Sequence, residues 1–137
     1  MNGTLLDTHT WLWFVTGEPT LAKTARAQIN EAIQQEALFL AAISLWEVAM
    51  LEARGRIQFE LPISEWLKKA IELPRLTVAS LSPEIAVESC RLPGEFHGDP
   101  ADRLIVATAR LESLTLLTRD KNILRYARKG HVHADKA

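Results

Sequence analysis

Little cysteine, no long apolar run and almost no net charge characterise this sequence, and each scarcity excludes a class of protein. The single cysteine, Cys90, allows no internal disulfide and no cysteine-based zinc site, and it agrees with a reducing cytoplasm. No stretch approaches the ~18 consecutive apolar residues of a membrane span. Asp7 and His9 interrupt the apolar amino terminus, which lacks the basic region of a signal peptide. We therefore expect a small cytoplasmic protein with no membrane segment.

The formal net charge of −1 over 137 residues provides no global field that would attract nucleic acid. Any attraction to RNA or DNA must then come from a bound cation or from a local group of arginine and lysine. Hydrophobic residues make up 47% of the sequence, which is ordinary for a globular domain with one core. We expect residues 1–137 to form one domain, in which about 130–137 contribute a short edge strand and a tail.

Apolar runs that suit buried strands alternate with apolar positions at helical spacing. The runs predict strands at 3–6, 38–43, 76–81 and 114–118, and a final edge strand around Val132. Helical spacing and helix-start residues predict helices at 8–15, 21–36, 44–55, 64–71, 82–92, 100–113 and 122–129. Strands that alternate with helices predict an α/β fold, specifically a three-layer α/β/α sandwich with a mainly parallel central sheet.

The most informative motif is HGDPADR at 97–103, where a loop with two carboxylates leads directly into an apolar helix. Asp99 suits the N-cap, Pro100 the first helical position and Asp102 the first turn. Asp102 would then lie near free backbone N–H groups and the positive end of the helix dipole, which should keep its carboxylate ionised. An ionised carboxylate at the start of a helix can supply half of a divalent-metal site.

Three further acids follow predicted strands and can supply the other half. Asp7 comes directly after the first strand, Glu47 one helical turn beyond the second, and Asp120 just after the strand that ends at Thr118. Ligands of open α/β sheets collect at the carboxyl ends of the strands, so these acids and Asp102 are candidates for one edge of the sheet. Such a cluster repels itself unless a cation neutralises it or some members are protonated. Hard oxygen ligands without nearby cysteine favour Mg²⁺ or Mn²⁺, which can polarise a phosphodiester and activate water.

Each acid also has a purely structural interpretation. Ser44 and Glu47 match the capping-box pattern, in which both side chains bond to the first N–H groups of their own helix. Asp99 fits a helix cap better than a direct metal ligand, and Asp120 fits the turn after a strand. Asp7 is the hardest to explain in this way, because a buried acid at the end of an apolar strand needs a partner.

Taken together, these segments resemble a PIN domain, and specifically the VapC-type ribonuclease toxins of bacterial toxin–antitoxin pairs. The resemblance rests on the order of four segments that cover nearly the whole chain: LLDTH, SLWE, HGDPADRLIVATA and LTLLTRD. It implies a parallel-sheet α/β/α fold and a Mg²⁺- or Mn²⁺-dependent endoribonuclease that a cognate antitoxin inhibits. Members of the family frequently form homodimers.

The resemblance also implies a role for each matching residue. Asp7 and Asp102 resemble the principal metal ligands, and Glu47 and Asp120 resemble the acids that complete the catalytic and metal-binding set. The residues that would orient these acids, or cap a helix beside them, are Ser44, Asp99 and Thr118. The candidates for contact with RNA are Arg103 and Arg119, because each adjoins a predicted ligand.

Two features concern partners and the carboxyl terminus. The antitoxin's helical tail commonly lies in an apolar groove beside the site, to which Trp11, Trp13 and Trp46 are candidate contributors. The tail HVHADKA is more polar than the closing strand of the family, which makes the last strand the weakest expectation.

Three other functions use acids at strand ends. A haloacid-dehalogenase-like phosphatase needs a second aspartate where His9 stands, and a phospho-receiver needs an acidic pair where Thr8 follows Asp7. The remaining alternative is a non-catalytic PIN-like binding or regulatory module, whose acids cap helices or hold a structural cation.

Overall fold

A computed structural model describes residues 3–72 and 75–137 of the chain. The strands are β1 (Thr4–Leu6), β2 (Leu38–Ala41), β3 (Thr77–Ala79), β4 (Thr115–Thr118) and β5 (Ala134–Lys136). The helices are α1 (Thr8–Thr16), α2 (Lys23–Gln34), α3 (Ala42–Ala53), α4 (Ile63–Glu72), α5 (Pro83–Cys90), α6 (Pro100–Leu111) and α7 (Lys121–Arg128). Within these described ranges, no helix is long and apolar enough to cross a membrane.

The five strands form one parallel sheet in the order β3-β2-β1-β4-β5. The central strand β1 pairs Leu6 with Leu40 on one side and with Leu117 on the other. Because all strands run in the same direction, the segments that follow β1, β2 and β4 leave the sheet at the same edge. The predicted α/β/α fold with a parallel sheet is confirmed.

Two apolar clusters cover the two faces of the sheet. Leu5 and Leu116 belong to one cluster, and their sequence neighbours Leu6 and Leu117 belong to the other. All four side chains are fully buried, because successive residues of a strand point to opposite faces and helices cover both. The core thereby fixes the edge of the sheet at which β1 and β4 end.

Most predicted boundaries are displaced by a few residues, and two of the displacements change the assignment of a named residue. Strand β2 ends at Ala41, and α3 begins at Ala42 rather than at Ser44, so the predicted strand was two residues too long. The N-cap of α3 is Ala41, which makes no side-chain cap, and Ser44 is therefore not the first residue of a capping box. The final strand exists, but it comprises Ala134–Lys136 and leaves Val132 in the core beside it.

Candidate active site

Three aspartates begin three helices at this edge of the sheet. Asp7 caps α1 and accepts a 2.8 Å hydrogen bond from the Thr8 N–H, and Asp120 caps α7 through the Ile123 N–H at 3.0 Å. Asp99 caps α6, as predicted, through a 2.8 Å bond from the Asp102 N–H. Each cap uses one carboxylate oxygen, and each carboxylate has further lone pairs available for another partner.

These caps and two further acids converge on one cleft of about 410 Å³. The lining residues are Asp7, His9, Trp13, Glu47, Asp99, Asp102, Arg119 and Asp120. All four acids that the sequence predicted for a common site are among them, as is Asp99. His9, which no motif singled out, lines the cleft because it is two residues beyond Asp7 in the first turn of α1.

Asp7 is held in place by hydrogen bonds to both of its oxygens. It is only 8% exposed, and its Oδ2 accepts a 2.6 Å hydrogen bond from the Thr118 hydroxyl of β4. The same Thr118 oxygen accepts a 3.0 Å bond from the Asp120 N–H. Thr118 therefore links two of the acids, which fits the orienting role that the family resemblance implies for it.

A second set of hydrogen bonds orients Glu47 through Thr8, a residue that the sequence analysis did not select. The Thr8 hydroxyl donates to Glu47 Oε1 at 2.5 Å and lies 2.8 Å from the Ser44 hydroxyl. Because Thr8 has one hydroxyl proton and gives it to Glu47, Ser44 must be the donor of the other bond. Ser44 therefore does not cap its own helix. It donates to Thr8 of α1, and Thr8 in turn donates to Glu47.

Burial and, after it, repulsion by neighbouring charges raise the pKa of Asp7, Glu47 and Asp102. Desolvation is the largest cause of the raised pKa of Asp7 and of Glu47, against the hydrogen bonds from Thr118 and Thr8. Desolvation, followed by the charges of Asp99, Asp7, Asp120 and Glu47, raises the pKa of Asp102 to about 7. A pKa of about 7 leaves Asp102 only partly ionised at neutral pH, in contrast to the prediction that the helix start keeps it ionised, because burial and the neighbouring charges outweigh the helix terminus.

The donor set fits a hard divalent cation. The cleft offers carboxylate oxygens and contains no thiolate, which suits Mg²⁺ or Mn²⁺. Across the part of the chain that the structure describes, no three His, Cys, Asp or Glu side chains enclose a ready-made ion position. Mg²⁺ commonly binds through one or two carboxylates and keeps several waters, so it does not require such an enclosure. A cation would also remove the repulsion that raises the pKa of Asp102.

The two arginines predicted to contact RNA have structural partners. Arg103 donates from Nε to the Ser89 carbonyl and from Nη1 to the Phe96 carbonyl, both at 2.8 Å, and so ties α6 to the preceding segment. Arg119 lines the cleft, where its guanidinium lies 5.0 Å from the Trp13 ring centroid. It also donates to the carbonyls of Thr20 and Ala137. RNA contact remains a prediction for both arginines.

The predicted groove tryptophans separate into three environments. Trp11 is fully buried in the core, with its ring centroid 5.7 Å from that of Trp66, so its assignment to a surface groove is wrong. Trp13 lines the acidic cleft and also an adjoining apolar cleft of about 310 Å³, which includes Leu12, Ile57 and Phe59. Trp46 is 56% exposed.

Comparison with known proteins gives a consistent result. The family model "PIN domain" matches residues 4–129. The chain belongs to the PIN-domain family. This PIN domain is 37% identical over 123 residues to Ribonuclease VapC22 of Mycobacterium tuberculosis (strain ATCC 25618 / H37Rv), a match that covers 90% of the chain and 91% of the relative.

Solved structures share the fold of this PIN domain. The crystal structure of VapBC2 from Rickettsia felis bound to a promoter DNA fragment aligns with a TM-score of 0.69 at 16% identity, over 97% of each chain. A toxin-antitoxin complex from Klebsiella pneumoniae aligns with a TM-score of 0.54 at 21% identity, over 88% of this chain and 90% of that one. At these identities the likeness establishes the fold alone.

Proposed function

We propose that this PIN domain is a Mg²⁺- or Mn²⁺-dependent endoribonuclease and the toxin of a toxin–antitoxin pair. The observation that carries the proposal is the convergence of five carboxylates on one cleft, four of which raise the pKa of the fifth by their charge and so lie close to it. The 37% identity to a protein named Ribonuclease VapC22 supports RNA as the substrate class.

Asp7 and Asp102 would hold the cation, and Glu47 and Asp120 would complete its surroundings. Bound there, the cation would polarise a phosphodiester and activate water for in-line attack. The chain's own contribution is to fix the acids before the substrate arrives, because Thr118 holds Asp7 and Thr8 holds Glu47. Asp102 must lose the proton that it partly retains near neutral pH before it can serve as a ligand.

A cleavage assay with a matched pair of variants tests this proposal. The purified chain should cleave a fluorogenic RNA when Mg²⁺ or Mn²⁺ is present and stop when EDTA is added. Asp7→Asn removes a charge from the cleft with almost no change in volume and should abolish cleavage. Asp135→Asn makes the same change at an exposed position of β5, outside the cleft, and should leave the rate unaltered.

Two results would contradict the ribonuclease proposal. One is cleavage that persists in EDTA, and the other is cleavage by a well-folded Asp7→Asn variant at the rate of the Asp135→Asn control. Circular dichroism spectra and melting temperatures of the two variants establish that both are folded.

A specific observation favours a second candidate, a non-catalytic module. Asp7, Asp99 and Asp120 all cap helices, as a purely structural role requires. Under this alternative, isothermal calorimetry detects a structural cation or none, and neither the wild-type chain nor any variant of the cleft cleaves RNA. Glu47 argues against it, since its side chain bonds to Thr8 of another helix and caps nothing.

We further propose a cognate antitoxin as partner and a homodimer in the cytoplasm. The toxin-antitoxin complex from Klebsiella pneumoniae with the same fold supports the antitoxin. The apolar cleft of Leu12, Trp13, Ile57 and Phe59 adjoins the acids and offers a surface on which a helix can block them. Light scattering of the purified chain alone tests the homodimer, and light scattering of the chain mixed with a candidate antitoxin tests the complex.

A further inference from the structure

Helix α7 and its C-cap concentrate positive charge in a chain of formal net charge −1. Lys121, Arg125, Arg128 and Lys129 are all exposed, and no acidic residue lies between them. Within residues 3–72 and 75–137, none of the four forms an ion pair with a carboxylate. These cations are therefore available to an anionic ligand.

A small groove of about 170 Å³ runs along one side of this helix. Arg125 and Lys129 lie one turn apart on its α7 wall, together with Asn122. Glu95 and His97 form the opposite wall, in the loop before α6. Arg128 instead lines a depression on the other side of the helix, with Leu124 and His133. The groove therefore has its own pair of cations, distinct from the rest of the helix.

The floor of the groove is buried and aromatic. Phe96 and Tyr126 form it, with ring centroids 5.0 Å apart, and both are buried. The Tyr126 hydroxyl donates to the Pro93 carbonyl, which ties α7 to the opposite wall. A preformed groove costs little ordering free energy when a ligand binds.

Both walls of the groove lead to the acidic cleft. His97 is two residues before Asp99, and Asn122 is two residues after Asp120, and both aspartates line the cleft. The segments that form the two walls of the groove therefore continue directly into the lining of the proposed site of cleavage. The volume is below the roughly 300–1,000 Å³ typical of small-molecule sites, so a compact free ligand is a poor fit.

We propose that this groove holds the sugar-phosphate backbone of a single-stranded segment of the RNA substrate, with Arg125 and Lys129 contacting its phosphates. The inference rests on the proposed ribonuclease function. The acids of the cleft repel phosphate, so cations beside it are needed to hold the strand. A single strand fits better than a duplex, because a groove of about 170 Å³ is too small to admit two backbones with their paired bases. Glu95 is the one carboxylate of the lining, with Oε2 3.6 Å from His97 Nε2, and it opposes the binding of phosphate.

Binding measurements on a cleavage-blocked protein test this groove. Every variant is built on Asp7→Asn, and its affinity for a fluorescent single-stranded oligoribonucleotide is measured by anisotropy at several salt concentrations. Arg125→Gln and Lys129→Gln should each weaken binding several-fold and reduce the salt slope by about 0.7 per lost phosphate contact. Arg128→Gln makes the same change of charge on the other side of α7, and its affinity should stay within about twofold of that of the parent, because it loses no phosphate contact.

One variant should improve binding, which loss of folding cannot imitate. Glu95→Gln removes the only carboxylate of the groove lining and should tighten RNA binding and steepen the salt dependence. A Glu95→Gln variant that binds RNA no better than the parent would count against a phosphate in the groove.

Other outcomes overturn the inference in distinguishable ways. If Arg128→Gln weakens binding as much as Arg125→Gln, the attraction is the diffuse charge of α7 and the groove has no special role. If the Arg125 and Lys129 variants bind RNA normally but lose affinity for a polyglutamate peptide, the groove takes an acidic protein segment. Metal-dependent cleavage by the wild-type chain is scored separately. Normal cleavage with unaffected groove variants refutes the groove alone, whereas RNA binding without cleavage refutes the ribonuclease proposal alone.

Discussion

The Thr8 hydroxyl donates to Glu47 Oε1 at 2.5 Å, across a separation of 39 residues. Thr8→Val keeps the shape of the side chain but removes this bond and leaves the buried Ser44 hydroxyl without its acceptor. We expect a loss of about 1–3 kcal/mol in the free energy of unfolding. We also expect a tenfold to hundredfold loss of kcat, of the order that follows when a catalytic group is misplaced by about 1 Å. Chemical denaturation and the RNA cleavage assay measure the two effects.

Thr8→Ser and Thr16→Val are the controls for this prediction. Thr8→Ser keeps the hydroxyl and should retain most of the activity. Thr16→Val makes the same threonine-to-valine change on the same helix. The Thr16 hydroxyl donates to the Leu12 carbonyl, away from the acids, so this variant should leave kcat unchanged. Equal kcat values for Thr8→Val and Thr16→Val would show that the position of Glu47 does not limit the reaction.

The raised pKa of Asp102 makes the stability of the metal-free protein depend on pH. An acid whose pKa is about 7 when folded and 3.8 in its ordinary state holds its proton more tightly in the folded chain. The contribution of Asp102 to the free energy of unfolding therefore falls as the pH rises from about 4 to about 7, and it is constant above that pH. Asp102→Asn removes this dependence, so its advantage in melting temperature over the wild type should grow across the same pH interval in EDTA.

Above pH 7 without metal, Asp102→Asn should be more stable than the wild type by about 0.5–2 kcal/mol, the usual range for relieving a strained functional site. Mg²⁺ should reverse this order of stability, because it stabilises the folded wild type, which keeps the proposed ligand Asp102, and does not stabilise a variant that binds it poorly. The Mg²⁺-induced shift in the wild type should be larger at pH 8 than at pH 6, where the proton competes. A wild type that is the more stable protein at pH 8 in EDTA would contradict the raised pKa of Asp102, which burial and then the neighbouring charges cause.

Residue type and spacing were sufficient to predict the fold and the acids that line the cleft. The apolar runs at 3–6, 38–43, 76–81 and 114–118 each contain a strand of the parallel sheet, so Asp7 and Asp120, which follow two of these runs, emerge at the common edge. Asp99 was predicted as a cap because N-capping depends on one residue and its next few neighbours. These features are local, or they follow from topology alone.

The family resemblance implied Thr118 as a partner of the acids, but Thr8, which donates to Glu47, could not be predicted because it belongs to a distant segment. Ser44 and Glu47 have the spacing of a capping box, but α3 had already begun at Ala42, since Ala41 and Ala42 suit a helix as well as an apolar strand. Once the helix begins earlier, both side chains face Thr8, which no local pattern identifies. Similarly, the carbonyls that Arg119 contacts belong to residues 20 and 137, which are 99 and 18 residues away.

Gly98 allows the loop before α6 to approach its neighbours. A Cβ at this position would lie 2.3 Å from Phe96 Cε2 and 2.9 Å from Asp102 Cβ, both too close. Gly98→Ala should therefore displace the buried Phe96 ring and Asp102, with a loss of about 1–3 kcal/mol in stability and a lower cleavage rate. Gly55→Ala is the comparison, because it strains a backbone with φ of 71° in open space, at a position outside the lining of the acidic cleft. It should lose stability but, when folded, cleave RNA normally. Equal cleavage by both folded variants would contradict the role of Gly98 in placing Asp102.

Two variants of Arg119 distinguish a structural clamp, in which the guanidinium holds two backbone carbonyls, from a contact with RNA. Its Nε and Nη2 donate to the Ala137 carbonyl at 2.9 and 2.6 Å, and Nη2 also donates to the Thr20 carbonyl at 2.6 Å. Arg119→Lys keeps the charge but cannot form this planar fork. If the clamp dominates, stability should fall by about 1–3 kcal/mol and kcat should drop because Asp120 moves, while KM and its salt dependence stay unchanged. A contact with phosphate predicts the reverse. The Arg119→Gln variant should then have an unchanged melting temperature and a raised KM, and the Arg119→Lys variant should behave like the wild type. The three carbonyl contacts lead us to expect the first pattern.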